Sequence, residues 1–464
     1  MNKKSLVFLI SCMIVCLIPT AGMIFAPTTE TTENKEMAEF PSITMVDGSL
    51  NGDFFRDLET YINEHIALRN PMVYIDAMIQ SNVFGVSNVD GVIKGTDGWL
   101  YYTATKDDYL GSAVLSERNL YNIAHNVKVI QDYLDTKKID FVFVIPPNKN
   151  TLYGSNMPYY DSCVVNSDHS AKLLQTDFAK LNVRYLDLFD MFEKQDEVLY
   201  LKRDSHWNNK GALLVYNAIM DRFKLAHEDY STKEPQRIKT DGDLNKMLYS
   251  FYGVAEDDLA YPFAGSYIYA NEVESVEDGW IITKSDKGSK KLLMFRDSFA
   301  NTLIPFFSEE FAEAYYSKGV PNQLEMYIDQ YSPDYVVLEK VERNITDYLA
   351  NPPIITGTIT DMPKKYTIAT TATTLEAATS ENNADYIMIT GVVDPARIRD
   401  DSDILVSVDG ICYNAFQTEN NSFVLYIKRD KLKNASVRVE VYVKNSDEIT
   451  NALITEIKVP EVNE

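Results

Sequence analysis

Residues 292–301 read Leu292-Leu293-Met294-Phe295-Arg296-Asp297-Ser298-Phe299-Ala300-Asn301: a short apolar run, a charged turn, then a serine where a helix should start. An apolar run without alternation is expected to be a strand buried on both faces. The same grammar repeats on either side. Residues 141–145 form a continuous apolar run stopped by Pro146-Pro147, and short runs recur at 184–188 and 334–338. Between them Ser116 is a plausible N-cap for a helix with Leu120, Ile123, Val127, Ile130 and Leu134 on one stripe, and further helices are expected at 168–181 and 209–223. Buried strands alternating with amphipathic helices predict an α/β domain, a mostly parallel sheet flanked by helices.

The ends of the chain have a different character. Residues 5–26 are uncharged and apolar behind Lys3 and Lys4, long enough to span a bilayer as an anchor or to serve as a signal segment, so the rest is expected outside the membrane, or secreted if the segment is cleaved. A polar stalk and a helical lead-in follow at 31–90, with apolar spacing from Phe54 to Leu68 on one helical face; Val92 to Tyr102 has the turn chemistry of a hairpin. The α/β domain takes 91–350. A Thr/Ala-rich linker is expected at 351–384, and period-2 strands at 385–464 predict a small antiparallel β-sandwich. The net charge of -24 offers no footprint for nucleic acid. Of four cysteines, Cys12 and Cys16 lie in the apolar segment; Cys163 and Cys412 are expected unpaired, which excludes a disulfide scaffold or a Cys-based zinc site.

Five histidines are present. His65, His125, His169 and His227 lie on helical stretches among charged neighbours and are expected to face solvent. His206 sits at a strand-to-helix junction, where ligands bind in open α/β sheets. Asp204, two positions earlier, is placed to accept a hydrogen bond from one ring nitrogen and leave the other as a base. Ser298 at its own strand-to-helix turn supplies an exposed hydroxyl, and N–H groups at the helix start are placed to stabilise an oxyanion. Each feature alone also fits a bland role, since a D-S-F tripeptide at a helix start is often only a cap. On adjacent strand ends they supply nucleophile, base and orienting acid. A metal site on Asp204, His206 and Asp297 would have a single histidine and too few ligands, and neither metal nor cofactor is expected.

These motifs carry a resemblance. Asp204-Ser205-His206-Trp207, followed by Arg296-Asp297-Ser298-Phe299, is similar to the alginate O-acetyltransferase AlgX/AlgJ group and the related DHHW proteins, with their SGNH-hydrolase-like domain. Glu64 to Arg69, the Lys94-Gly95-Thr96-Asp97-Gly98-Trp99-Leu100-Tyr101 run, Pro146-Pro147-Asn148-Lys149 with Tyr153, Asp241-Gly242-Asp243-Leu244, and Pro333 to Val337 with Glu342-Arg343 resemble further family elements, over about residues 35–350. Two positions depart from the pattern. Ser205 replaces the middle histidine and is expected to point away from the site, and Arg296 replaces the glycine of G-D-S.

The resemblance implies Ser298 as acyl acceptor, His206 as base and Asp204 as orienter. The Ser298 N–H is a candidate oxyanion donor, with Asn148, Lys149, Tyr153, Arg296 and Arg343 as further oxyanion or substrate candidates; Arg343 fits equally as an ion-pair partner of Glu342. The implied function is cell-surface polysaccharide O-acetylation through a serine acyl-enzyme, with a glycan acceptor and an acyl donor delivered by a membrane acyl-transfer partner. A carbohydrate esterase, or a catalytically silent glycan-binding or assembly protein, remains open, as does the C-terminal region's role as a carbohydrate-binding accessory or a spacer.

Overall fold

The computed structural model describes residues 3–29, 37–45, 48–249, 253–369, 371–446 and 448–460. Much of the expected stalk lies outside them. Lys3–Phe25 is one helix, long and apolar enough to cross a membrane by length and composition. The lead-in forms two helices, Phe54–His65 and Arg69–Ile79, because Leu68 between them is left-handed at φ 62°.

The central sheet has seven strands in the order Tyr185–Leu186, Asp140–Val144, Tyr335–Glu339, Lys291–Arg296, Glu313–Lys318, Trp280–Ser285, Tyr267–Tyr269. The first five run parallel. The two remaining pairings, of Trp280–Ser285 with Glu313–Lys318 and with Tyr267–Tyr269, are antiparallel and lie at one edge of the sheet. Only residues 286–290 join Trp280–Ser285 to Lys291–Arg296. Parallel strands need a crossover of a dozen residues or more, so this edge turns back instead.

Side-chain alternation along the strands sorts the core into two layers. Phe141, Phe143, Leu293, Phe295, Val336 and Leu338 point to one side, where helices Glu117–Thr136 and Ser170–Leu181 lie. Val142, Val144, Leu292, Met294 and Val337 point to the other, under helices Asn209–Arg222 and Ile304–Glu310.

Two sheets make up a β-rich C-terminal region. Thr374–Thr379, Tyr386–Val392, Ser422–Lys428 and Phe416–Gln417 form one; the other runs Ile359–Thr360, Ile411–Asn414, Asp403–Val408, Ser436–Lys444, Ile449–Lys458, Thr367–Ile368. Ile387, Ile389, Leu425 and Ile427 from the first meet Val406, Val439 and Val441 from the second. The 351–384 stretch is no bare linker, because it contributes three of these strands. One of them, Thr367–Ile368, pairs parallel to Ile449–Lys458 in an otherwise antiparallel set.

The C-terminal region is fastened to helix Glu117–Thr136, which is buried along most of its length. Arg118 donates to the carbonyls of Ser402 (2.7 Å) and Asn420 (3.0 Å), and to Gln417. Tyr121 donates to Asp403 at 2.7 Å. His125 therefore does not face solvent: it is 5% exposed, with Nε2 3.1 Å from the Ala415 carbonyl. Tyr386, Phe416, Val424 and Tyr426 belong to the same core as Leu120 and Ile123.

Candidate active site

The Asp204–His206 turn is held from several directions. Lys149, 4% exposed, donates to the carbonyls of Leu201 (3.2 Å), Lys202 (3.0 Å) and Asp204 (2.5 Å), one acceptor for each ammonium hydrogen. Burial pulls its pKa down to about 7, against the charges of Asp204, Asp243 and Glu256. Glu256 accepts the N–H groups of Lys202 and Arg203. Gly242 lies so close that a Cβ there would stand 2.2 Å from the Arg203 carbonyl oxygen, so only glycine fits this contact.

Within that frame Asp204 and His206 meet. Asp204 Oδ1 lies 2.6 Å from His206 Nδ1 and also accepts the His206 N–H at 2.9 Å, while Oδ2 accepts the Asp243 N–H at 2.9 Å. Burial opposes the Asp204 charge, but these bonds and the imidazole outweigh it and hold the carboxyl well below the usual range. Burial likewise opposes a charged imidazole; the Asp204 bond and charge, with Asp243, overcome it and raise His206 above its ordinary value, while Arg343 pulls the other way.

His206 Nε2 faces Ser298 Oγ at 2.8 Å. Ser298 opens the 3-10 helix Ser298–Leu303 directly after its strand, so its N–H has no place in the helix ladder. The turn is pinned by Asp297, whose N–H donates to Glu339 at 2.8 Å and whose carboxylate accepts the N–H groups of Phe299 (2.9 Å) and Val341 (2.8 Å). Glu339 is fully buried; burial, then the charge of Asp297, pushes its carboxyl well above the usual range. Trp207 Nε1 donates to Thr302 at 2.8 Å and ties the two segments together.

Arg296 removes the need for glycine at its position, because its backbone is not left-handed. Its side chain, 0% exposed, runs to the carbonyls of Val276 (2.8 Å) and Asp278 (3.0 Å) and to Asn301 (2.5 Å), so it holds a loop and not a substrate. Three other candidates are also committed to structure. Lys149 holds the 201–204 carbonyls, Tyr153 accepts the Leu199 N–H at 3.0 Å, and Asn148 donates from its side chain to Asp108 at 3.1 Å and from its backbone to Glu342 at 2.6 Å. Arg343 stays beside the site, its guanidinium 5.6 Å from the Phe299 ring centre and 5.4 Å from that of Tyr102. Glu342 bonds elsewhere, to Asn148 and Thr151, and does not take the ion pair with Arg343.

Ser205 does not point away. It is 7% exposed, its Oγ donates to Asp243 at 2.5 Å and stands 3.3 Å from His206 Nδ1. Asp243 itself lies 3.7 Å from that nitrogen; only its place in the Gly-Asp-Leu turn signalled it in the sequence. Asp204, His206 and Asp243 offer donor atoms close enough for an ion, but both imidazole nitrogens are already engaged. Asp297, the third ligand weighed from the sequence, spends its carboxylate on backbone N–H groups.

Residues 92–255 match the family described as SGNH hydrolase-like domain, acetyltransferase AlgX. The resemblance read from the motifs is thus met at the level of a family domain, one that contains Asp204 and His206 and ends before Ser298. No curated protein matches the chain. Among solved structures it is similar to PatB1 of Bacillus cereus, at 15% identity and a TM-score of 0.43 over 55% of this chain and 96% of that one. A DHHW family protein from Eubacterium siraeum matches at 15% identity and a TM-score of 0.42, over 56% and 93%. AlgX of Pseudomonas aeruginosa matches at 12% identity and a TM-score of 0.37, over 73% and 87%.

Proposed function

We propose that this chain is a serine-dependent O-acetyltransferase acting on a cell-surface polysaccharide, with Ser298 as nucleophile, His206 as general base and acid, and Asp204 as the group that fixes the imidazole. The observation that carries the reading is the continuous Asp204–His206–Ser298 hydrogen-bonded line, 2.6 and 2.8 Å. Asp204 on Nδ1 selects the tautomer whose Nε2 accepts the serine proton.

In the first half-reaction Ser298 Oγ attacks the acyl carbonyl carbon while its proton passes to Nε2. The tetrahedral oxyanion faces the Ser298 N–H, and collapse releases the donor's alcohol with the proton from His206, leaving an acetyl ester on Ser298. A glycan hydroxyl then gives its proton to His206, attacks the ester and leaves acetylated, and Ser298 recovers its proton. Arg343 favours the neutral, basic imidazole. The apolar N-terminal helix supports a site held outside the membrane by an anchor, where a membrane acyl-transfer partner would supply the donor. The C-terminal region, set beside the α/β domain, would serve as a glycan-binding accessory.

The test is mass spectrometry of the chain after incubation with p-nitrophenyl acetate. A 42 Da adduct on the Ser298 peptide, absent in Ser298→Ala along with p-nitrophenol release, is the expected result; equal turnover by wild type and variant would overturn the assignment. Acetyl recovered on an added oligosaccharide identifies the transferase, and acetate alone an esterase.

A further inference from the structure

On the far side of Asn148 from Arg343, Asp108, His169 and Glu342 bring one ligand atom each within 4.8 Å of the other two. His169 was expected to face solvent; instead its side chain is 13% exposed and turns inward. Its Nδ1 stands 3.8 Å from Asp108 Oδ2 and 3.8 Å from Glu342 Oε1, too far for a hydrogen bond to either. The Glu342 side chain is 0% exposed. Its Oε2 takes the Asn148 N–H (2.6 Å) and the Thr151 hydroxyl (2.7 Å), whereas Oε1 has no hydrogen-bond partner, and neither does His169 Nδ1. Two buried polar atoms thus face each other at 3.8 Å, and a second carboxylate closes the third side.

A buried unpaired donor or acceptor costs about 1–3 kcal/mol, more for a charged group. Burial, then the charge of Asp108, pushes Glu342 well above the usual carboxyl range. Three occupants would relieve this: a proton held between the carboxylates, a bridging water, or a cation. A shared proton leaves Nδ1 unsatisfied, and a water leaves the paired carboxylate charge uncompensated. A cation uses all three atoms and offsets that charge, and ligands that each stand about 2.0–2.2 Å from a zinc ion lie within reach of the observed spacings.

We infer that Asp108, His169 and Glu342 form a divalent-cation site of the His/carboxylate class that suits zinc, separate from the Ser298 triad. The ion would neutralise the buried carboxylates and brace the start of helix Lys149–Tyr153 through Asn148 and Thr151. It takes no part in acyl transfer, and its existence does not depend on the role of Ser298.

The experiment uses the detergent-solubilised full chain, stripped with EDTA, dialysed and titrated with zinc chloride while metal content and thermal unfolding are followed. We expect about one zinc per chain and a higher Tm, with Glu342→Gln and His169→Ala each weakening binding roughly tenfold or more. Glu342→Gln, close to isosteric, keeps the test valid should His169→Ala fail to fold. His206→Ala should retain the zinc. No zinc bound by the wild type, or zinc kept by Glu342→Gln and lost in His206→Ala, would overturn the site.

Discussion

Asp243 stands 3.7 Å from His206 Nδ1, on the same edge of the imidazole that Asp204 occupies at 2.6 Å. Two carboxylates therefore bias one ring toward its charged form, and Ser205 bridges from the second. Asp243→Asn removes one of them and keeps a carbonyl oxygen for the Ser205 N–H, with the amide NH2 turned to the Ser205 hydroxyl. The acid limb of the pH–rate profile for p-nitrophenyl acetate, where the imidazole loses its proton and becomes a base, should then move to lower pH, and Arg343→Ala should move it higher. Unchanged limbs in both variants would mean that neither group reaches the imidazole.

His206 also links pH to folding. Its folded pKa is raised, so its contribution to stability is complete below about pH 6.5 and is lost as pH rises through the higher folded value. Urea unfolding of wild type and His206→Gln should differ most on the acid side of that window and converge above it.

Asp204→Asn keeps the shape of the turn but offers Nδ1 an amide in place of a carboxylate. By the triad logic kcat should fall roughly 10⁴-fold, as scored by single-turnover release of p-nitrophenol, and the Tm should fall as well, because one of the two backbone N–H groups on the carboxylate loses its acceptor.

Glu339 gives a stability prediction with the opposite chemistry. Its carboxyl is raised by burial and by Asp297, so the stability it confers is intact below about pH 4.3 and is lost as pH climbs toward the folded value. Glu339→Gln retains an oxygen for the Asp297 N–H and cannot ionise. It should therefore be more stable than wild type at pH 7, with the gap closing at pH 4; equal stability at both pH values would count against a neutral Glu339.

Lys149→Met should destabilise by several kcal/mol, because three buried carbonyls lose their donor at about 1–3 kcal/mol each. Calorimetry separates this from a catalytic effect: a variant with wild-type Tm and no activity would put Lys149 back among the substrate residues.

Much of the layering was legible in the sequence. The apolar runs at 141–145 and 292–295 could only be buried strands, and Asp204 with His206 is a local pair whose spacing brings it together. Ser298 lies 92 positions from His206, so only strand order, which composition does not encode, could join them. His125 was read as solvated because its partner is a C-terminal carbonyl distant in sequence, that of Ala415. Thr374–Thr379 looked like linker since its alternation of Leu375 and Ala377 is weakly apolar, as suits a sheet edge. Glu342 was marked only by its place beside Arg343 and Glu339 by nothing, and neither showed that it is buried, as nothing local distinguishes a buried carboxyl from a wet one.

Helix Glu117–Thr136 is pressed between the central sheet and the C-terminal strands, and it packs against Phe141 and Phe143 on the strand whose exit runs through Pro146-Pro147 to Asn148. The C-terminal region is therefore a buttress and not a pennant on a string. A load on it would pass into that rod and into helix Leu324–Tyr331, whose Glu325 holds Tyr386 and Lys428 at 2.6 Å each, and so into the central sheet without passing through a hinge.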